Sequence, residues 1–210
     1  GNNIKCCNSL IGTDFYTNTM PLLKSNPSQI ERILNDAPAN KPTPAAASER
    51  EMEDERYRIN PFDWEREFPE IMKDGGFDVV IGNPPYGAEI PESVTNYLKN
   101  KFQTFVWRGE SYVVFVEQAL RLIKLKGFFG YIIPDTYLNL GFTQSLRVFL
   151  LQNSKLCEIV SLPSNVFTGT TVDTTLLFVE KMAKTNSYHE SQILSKIFNK
   201  KSSISSITQP

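Results

Sequence analysis

Four apolar stretches punctuate the C-terminal two thirds of the chain, and three of them run into proline. Phe77-Asp78-Val79-Val80-Ile81-Gly82 is a nearly continuous apolar run halted by Asn83-Pro84-Pro85-Tyr86. Such a run, too short for a helix and stopped by prolines, predicts a central strand ending in a loop. Residues 110–126 place Tyr112, Phe115, Val116, Ala119, Leu120 and Ile123 at helical spacing, with Lys124, Lys126 and Gly127 as a fitting C-terminal end. Phe128 to Pro134 predicts a second buried strand. A helix over 142–152, a third strand over 157–162 and a last strand over 174–179, antiparallel to its neighbours, follow. Alternation of strand and helix predicts a mostly parallel α/β sheet.

In open α/β sheets ligands bind at the carboxyl ends of the strands. The tetrapeptide 83–86 therefore lies where an active-site rim is expected. The segment FDVVIGNPPYG resembles the catalytic motif of amino-group DNA methyltransferases that use S-adenosylmethionine (SAM). The chemistry suits that resemblance. An exocyclic amine such as adenine N6 has its lone pair delocalised into the ring. Accepting both amine hydrogens localises that pair toward a methyl donor. The Asn83 side-chain oxygen and the Pro84 carbonyl supply neutral acceptors, and Pro84 and Pro85 hold the loop at little entropic cost. Tyr86 offers a flat face to an extruded base, with stacking worth about 1–3 kcal/mol, comparable with the cost of flipping a nucleotide. Neither a covalent nucleophile nor a metal is required. Glutamine and some RNA methyltransferases carry the same tetrapeptide, and an Asn-Pro-Pro turn also follows strands for purely structural reasons.

Further matches point to adenine-specific methyltransferases of the gamma arrangement, the type IIG restriction–modification methylase family. The loop 163–173 has the form VF..T.VDT..LF, and the resemblance implies that Phe167 packs against the flipped base opposite Tyr86. Taken alone, Phe167 is as readily a satellite core residue under its own loop. Ile4 to Leu10 resembles the strand and turn that contact the SAM adenine, which implies a cofactor role for Asn8, with Asn83. Cys7 stands where that family usually has glycine. Pro61-Phe62-Asp63-Trp64 resembles a stretch preceding the catalytic strand, where Trp64 and Phe68 read as core.

None of the eleven glycines forms a G-x-G pair, the turn that the cofactor-binding logic of this fold requires. The chain is accordingly read as a catalytic-half fragment, a partial Rossmann-like sheet with its first two strands left out, inactive by itself. Remaining SAM-binding and DNA-recognition regions are its expected partners. Double-stranded DNA is contacted through the parent enzyme, and a strand edge is left to self-associate or to be repaired by residues 3–9. A Pro134-Asp135 pair lacks the Glu-x-Lys of a nuclease. Alternatives are a methyltransferase for protein glutamine or RNA, and a non-catalytic split subunit.

Composition adds limits. A net charge of −1 gives no nucleic-acid footprint, tolerable where the DNA reader lies elsewhere. Three cysteines and one histidine give no zinc spacing. The absence of a signal peptide or an apolar run of membrane length predicts a cytoplasmic protein. The expected organisation is 1–12 as strand and turn of the core, and 13–60 as an insertion. That insertion holds the linker 37–47 and a charged helix opened by the capping box Ser48-Glu49-Arg50-Glu51. Residues 61–182 form the catalytic core, and 183–210 a polar tail.

Overall fold

The structure is a computed structural model that describes residues 10, 12, 62–87, 90, 92–106, 110–164, 166–167, 172–185 and 193–197. Asn8, residues 3–9, the linker 37–47, the capping box and the charged helix lie outside the described residues. The chain divides into two compact units, Gly1–Glu67 and Phe68–Pro210.

In the first unit a one-turn helix, α1 (Trp64–Glu67), starts where the Asp63 carboxylate accepts the Arg66 N–H at 3.1 Å, a local N-terminal cap. Trp64 is half-buried and meets Phe62 edge-on, with ring centroids 4.8 Å apart.

The second unit begins with the short helix α2 (Pro69–Lys73), proline at its first turn. Strand β1 (Phe77–Gly82), helices α3 (Glu92–Lys101) and α4 (Ser111–Leu122), and strand β2 (Ile123–Pro134) follow. Two turns of 3-10 helix lead into α5 (Gln144–Asn153), and then come β3 (Ser154–Ser161), β4 (Thr174–Lys181) and β5 (Leu194–Ile197). Phe68 pairs edge-on with Phe77 at 5.4 Å.

The five strands lie in the order β1-β2-β4-β3-β5. Pairs β1–β2 and β3–β5 are parallel, and β4 runs antiparallel to both β2 and β3. The mixed, mostly parallel α/β sheet with an antiparallel strand at 174–181 is thus as the sequence predicts. One correction concerns its end. That strand is not the last, because Leu194–Ile197 adds a fifth beside β3, within the stretch read as a polar tail.

A second correction concerns the α4–β2 junction. The helix ends at Leu122 rather than at 126, and β2 starts at Ile123, opposite Phe77. Between the pairs Phe77–Ile123 and Val79–Phe128, one residue of β1 faces four of β2. Lys126 takes a positive φ of 64° there, and Lys124 forms an ion pair with Asp78. This polar bulge imitates a helix C-terminus in sequence.

Side chains on one face of the sheet, Phe129, Tyr131, Ile133, Leu177 and Val179, are buried, with α4 packed on β2 and α5 on β3. Helix α4 is buried nearly all round, Glu117 included. That carboxylate accepts the Gln103 and Thr104 N–H groups and pairs with Arg121 at 2.5 Å. It thereby anchors the turn after α3 to α4, and the buried charge is matched.

Candidate active site

The parallel strands β1, β2 and β3 and the start of the antiparallel β4 bring Asn83, Asp135, Leu162 and Asp173 to one edge of the sheet. This is the carboxyl edge, where the sequence places its chemistry. Asn83 is exposed, Pro84 buried, Pro85 exposed and Tyr86 half-buried. Buried Pro84 seats the loop, while the Asn83 amide stands free of the core.

Beneath the end of β1 lies Tyr131 of β2. A side chain at Gly82 would come within 3.1 Å of its ring, so glycine leaves the room that this ring fills. Tyr131 also packs on Phe129, centroids 5.1 Å apart. Burial pushes its phenol up to about 12.

The first turn of α4 fixes the loop from the side. Ser111 Oγ donates to the Pro85 carbonyl at 2.5 Å, and the Gly87 N–H donates to Glu110 Oε2 at 3.1 Å. Gly87 has φ +70° with nothing near its Cβ position, a left-handed conformation that glycine adopts without strain. Tyr112, fully buried, lies 3.4 Å from Thr136 Oγ1, a hydrogen bond that ties α4 to the turn after β2. Burial raises the Tyr112 pKa, and Thr136 acts in the opposite direction.

The loop 163–173 is held at its base. The Leu162 N–H donates to the Thr174 carbonyl at 3.0 Å, and the Asp135 N–H to the Asp173 carbonyl at 3.0 Å. A turn from Pro163 to Val166 precedes Phe167, which is half-buried. Asn83 and Tyr86 therefore share one loop, and Phe167 shares their edge. Strands β2 and β4 separate the ends of β1 and β3, a span of about 14 Å at ~4.8 Å per strand. Asn8 lies outside the described residues. Glu110, Ser111 and Tyr131 escape the sequence reading. Their only signals, a Glu-Ser pair at a helix start and an aromatic in a strand, are common ones.

Comparison with known proteins bears out the resemblance to restriction–modification methylases. A family model described as Eco57I restriction-modification methylase matches residues 8–167. The chain is 31% identical over 131 residues to the type II restriction enzyme and methyltransferase RM.Eco57I of Escherichia coli, covering 60% of this chain and 12% of that one. It is 31% identical over 101 residues to the type II methyltransferase M.BstVI of Geobacillus stearothermophilus, covering 47% and 18%. A solved methyltransferase subunit of a type I restriction-modification system from Streptococcus thermophilus aligns with TM-score 0.47 at 20% identity, covering 64% and 29%. The chain thus spans only a small part of the length of these relatives.

Proposed function

We propose that this chain, which belongs to the Eco57I restriction-modification methylase family, is the catalytic segment of a site-specific DNA methyltransferase acting on adenine N6. The observation that carries the reading is the seating of Asn83-Pro84-Pro85-Tyr86 at the carboxyl end of β1, with the amide exposed and Pro84 buried. Relatives named as a type II restriction enzyme and methyltransferase and as a type II methyltransferase support DNA as the substrate class.

Asn83 Oδ1 and the Pro84 carbonyl accept the two amine hydrogens, leaving the nitrogen lone pair directed away from the ring. Both acceptors are neutral and held by proline geometry, so little reorganisation accompanies the reaction. SAM, when bound, would supply the methyl group from its sulfonium, the S–CH3 bond breaking as the N–CH3 bond forms, with S-adenosylhomocysteine released and the surplus amine proton passing to solvent. An exposed neutral amide above a floor of uncharged aromatic side chains fits direct transfer, and Asn83 and Asn8 are the residues proposed to touch the cofactor. Tyr86 stacks on one face of the flipped base and Phe167 on the other. From the base of its loop at Asp173, six residues lead back to Phe167, about 20 Å when extended. That reach exceeds the two strand spacings, about 10 Å, between β4 and β1. Double-stranded DNA, and further SAM-binding and DNA-recognition regions of a longer enzyme, are the proposed partners.

The test uses protein expressed from the complete coding sequence and SAM carrying a labelled methyl group. Duplex DNA, RNA and a glutamine-containing peptide are offered in competition. Label in the duplex is expected. Label in RNA or in the peptide would replace this reading with one of the alternatives.

A further inference from the structure

Polar side chains at a helix start ordinarily bond to their own helix, filling its free N–H groups. At the start of α4 this does not happen: Glu110, the N-cap residue, makes no side-chain cap hydrogen bond. Both it and Ser111 reach instead to a loop more than twenty residues earlier in sequence.

We propose that Glu110 and Ser111 are positioning residues that set the direction of the Tyr86 ring, an inference that rests on the reading of Tyr86 as a platform for the base. The two bonds fall on opposite sides of one Cα. The Pro85 carbonyl belongs to the peptide plane before Tyr86, and the Gly87 N–H to the plane after it. Peptide planes are rigid, so a residue's backbone has only φ and ψ as soft rotations. Holding both planes fixes both angles of Tyr86, and with them its Cα–Cβ direction. Prolines at 84 and 85 remove two further rotations upstream. The ring is left with its side-chain torsions alone.

The anchor is itself rigid. Ser111 is 5% exposed and opens a helix in which Val113, Val114 and Val116 are buried. The hydroxyl meets its carbonyl at 2.5 Å, and a carboxylate accepting an amide N–H makes a charge-assisted bond, stronger than a neutral one. Movement of α4 would therefore turn the stacking face, which couples the first turn of this helix to the geometry of the base.

The test follows amide exchange at Gly87 and backbone order at Tyr86 by NMR in the chain as it stands. Wild type is compared with Glu110→Ala, Glu110→Gln and Ser111→Ala, with thermal midpoints measured alongside. Removing either bond is expected to speed Gly87 exchange about tenfold and to lower order at Tyr86. Glu110→Gln, which keeps an acceptor, should recover most of both, and the midpoint of Glu110→Ala should hardly move. Unchanged Tyr86 order in both alanine variants would overturn the proposal, as would loosening that spreads through α4. Adenosine titrated to millimolar concentration separates the two levels. Wild-type binding that falls about tenfold in Glu110→Ala supports the positioning role, whereas measurable binding that is equal in wild type and that variant overturns it. Loss of Tyr86 order in the variants with no adenosine binding to wild type would leave the positioning standing and remove the base-platform reading.

Discussion

Asn83 and Tyr86 divide the proposed chemistry, and single substitutions should separate their contributions. Replacing Asn83 by Ala removes one of the two acceptors for the amine hydrogens. Loss of one preorganised hydrogen-bonding group in an active site typically lowers turnover by about 10²–10³. Methyl transfer by Asn83→Ala should fall by that order, and because Asn83 is exposed its melting temperature should stay near wild type. Tyr86→Ala should weaken DNA binding by roughly ten- to a hundredfold, following the ~1–3 kcal/mol of a base–aromatic stack, while Tyr86→Phe keeps most of it. Gel-shift titration on a duplex substrate reads this difference, and equal binding by the alanine variant would contradict a stacking role. These residues were legible in sequence because their signal is local: an apolar strand, two prolines and an aromatic in immediate succession. Glu110 and Ser111 were not, since only the packing of α4 against the end of β1 brings them to Pro85 and Gly87.

Strand β1 depends on how it is entered. Gly76 has φ +120°, and a Cβ there would lie 2.2 Å from the Leu122 carbonyl oxygen. That oxygen is backbone at the end of α4 and cannot step aside. Gly76→Ala is expected to cost about 3 kcal/mol or more, combining backbone strain with the clash. Gly75, at φ +98° with its nearest atom at 3.7 Å, should cost about 1 kcal/mol on the same substitution. Urea unfolding of the two variants checks the contrast, and equal destabilisation would contradict it. β1 runs from Phe77 to Gly82 as the sequence predicts, because an apolar run closed by prolines leaves its bounds little ambiguity, but it borders the described sheet instead of lying at its centre and none of its residues is buried. The start of β2 is harder to see in the sequence. Lys124-Leu125-Lys126-Gly127 has the composition of a helix end, and its bulge is specified by contacts across the sheet. A side chain at Gly127 would sit 3.0 Å from the Asp78 carbonyl oxygen, a constraint invisible from residue order.

For the molecule as a whole, two buried phenols set an alkaline limit. Burial pushes Tyr131 up to about 12 and Tyr137 to about 12 as well. Their folded values stand above the ordinary 10, so their neutral forms contribute stability that is complete below about pH 10. That stability declines as pH rises through about 12. Each accounts for about 2–3 kcal/mol, and Tyr131→Phe should flatten the decline in melting temperature measured across that window. A profile as steep as wild type would contradict the burial of this phenol. The sheet face opposite the helices carries Val79, Ile81, Phe128 and Phe178, with Ile81 80% exposed, and β1 is one of the two outermost described strands. Apolar surface of this kind on a strand at the sheet's border favours pairing with a second copy. Sedimentation should show concentration-dependent association that Ile81→Lys reduces, and a monodisperse monomer would contradict it. Sheet order became clear only from the structure. The hairpin from β3 to β4 inserts β4 beside β2, and residue order alone does not say which neighbour a strand takes.

The atom that receives the methyl group decides whether Asn83 and Pro84 are the acceptors of an adenine amine. DNA from cells without other adenine methylation, expressing the complete coding sequence that contains this chain, can be digested to nucleosides and weighed. N6-methyladenine is predicted, at a level that falls steeply when Asn83 is replaced by Ala. N4-methylcytosine in its place, or N6-methyladenine undiminished in the Asn83→Ala variant, would contradict the assignment of Asn83 and Pro84 as the acceptors of an adenine amine.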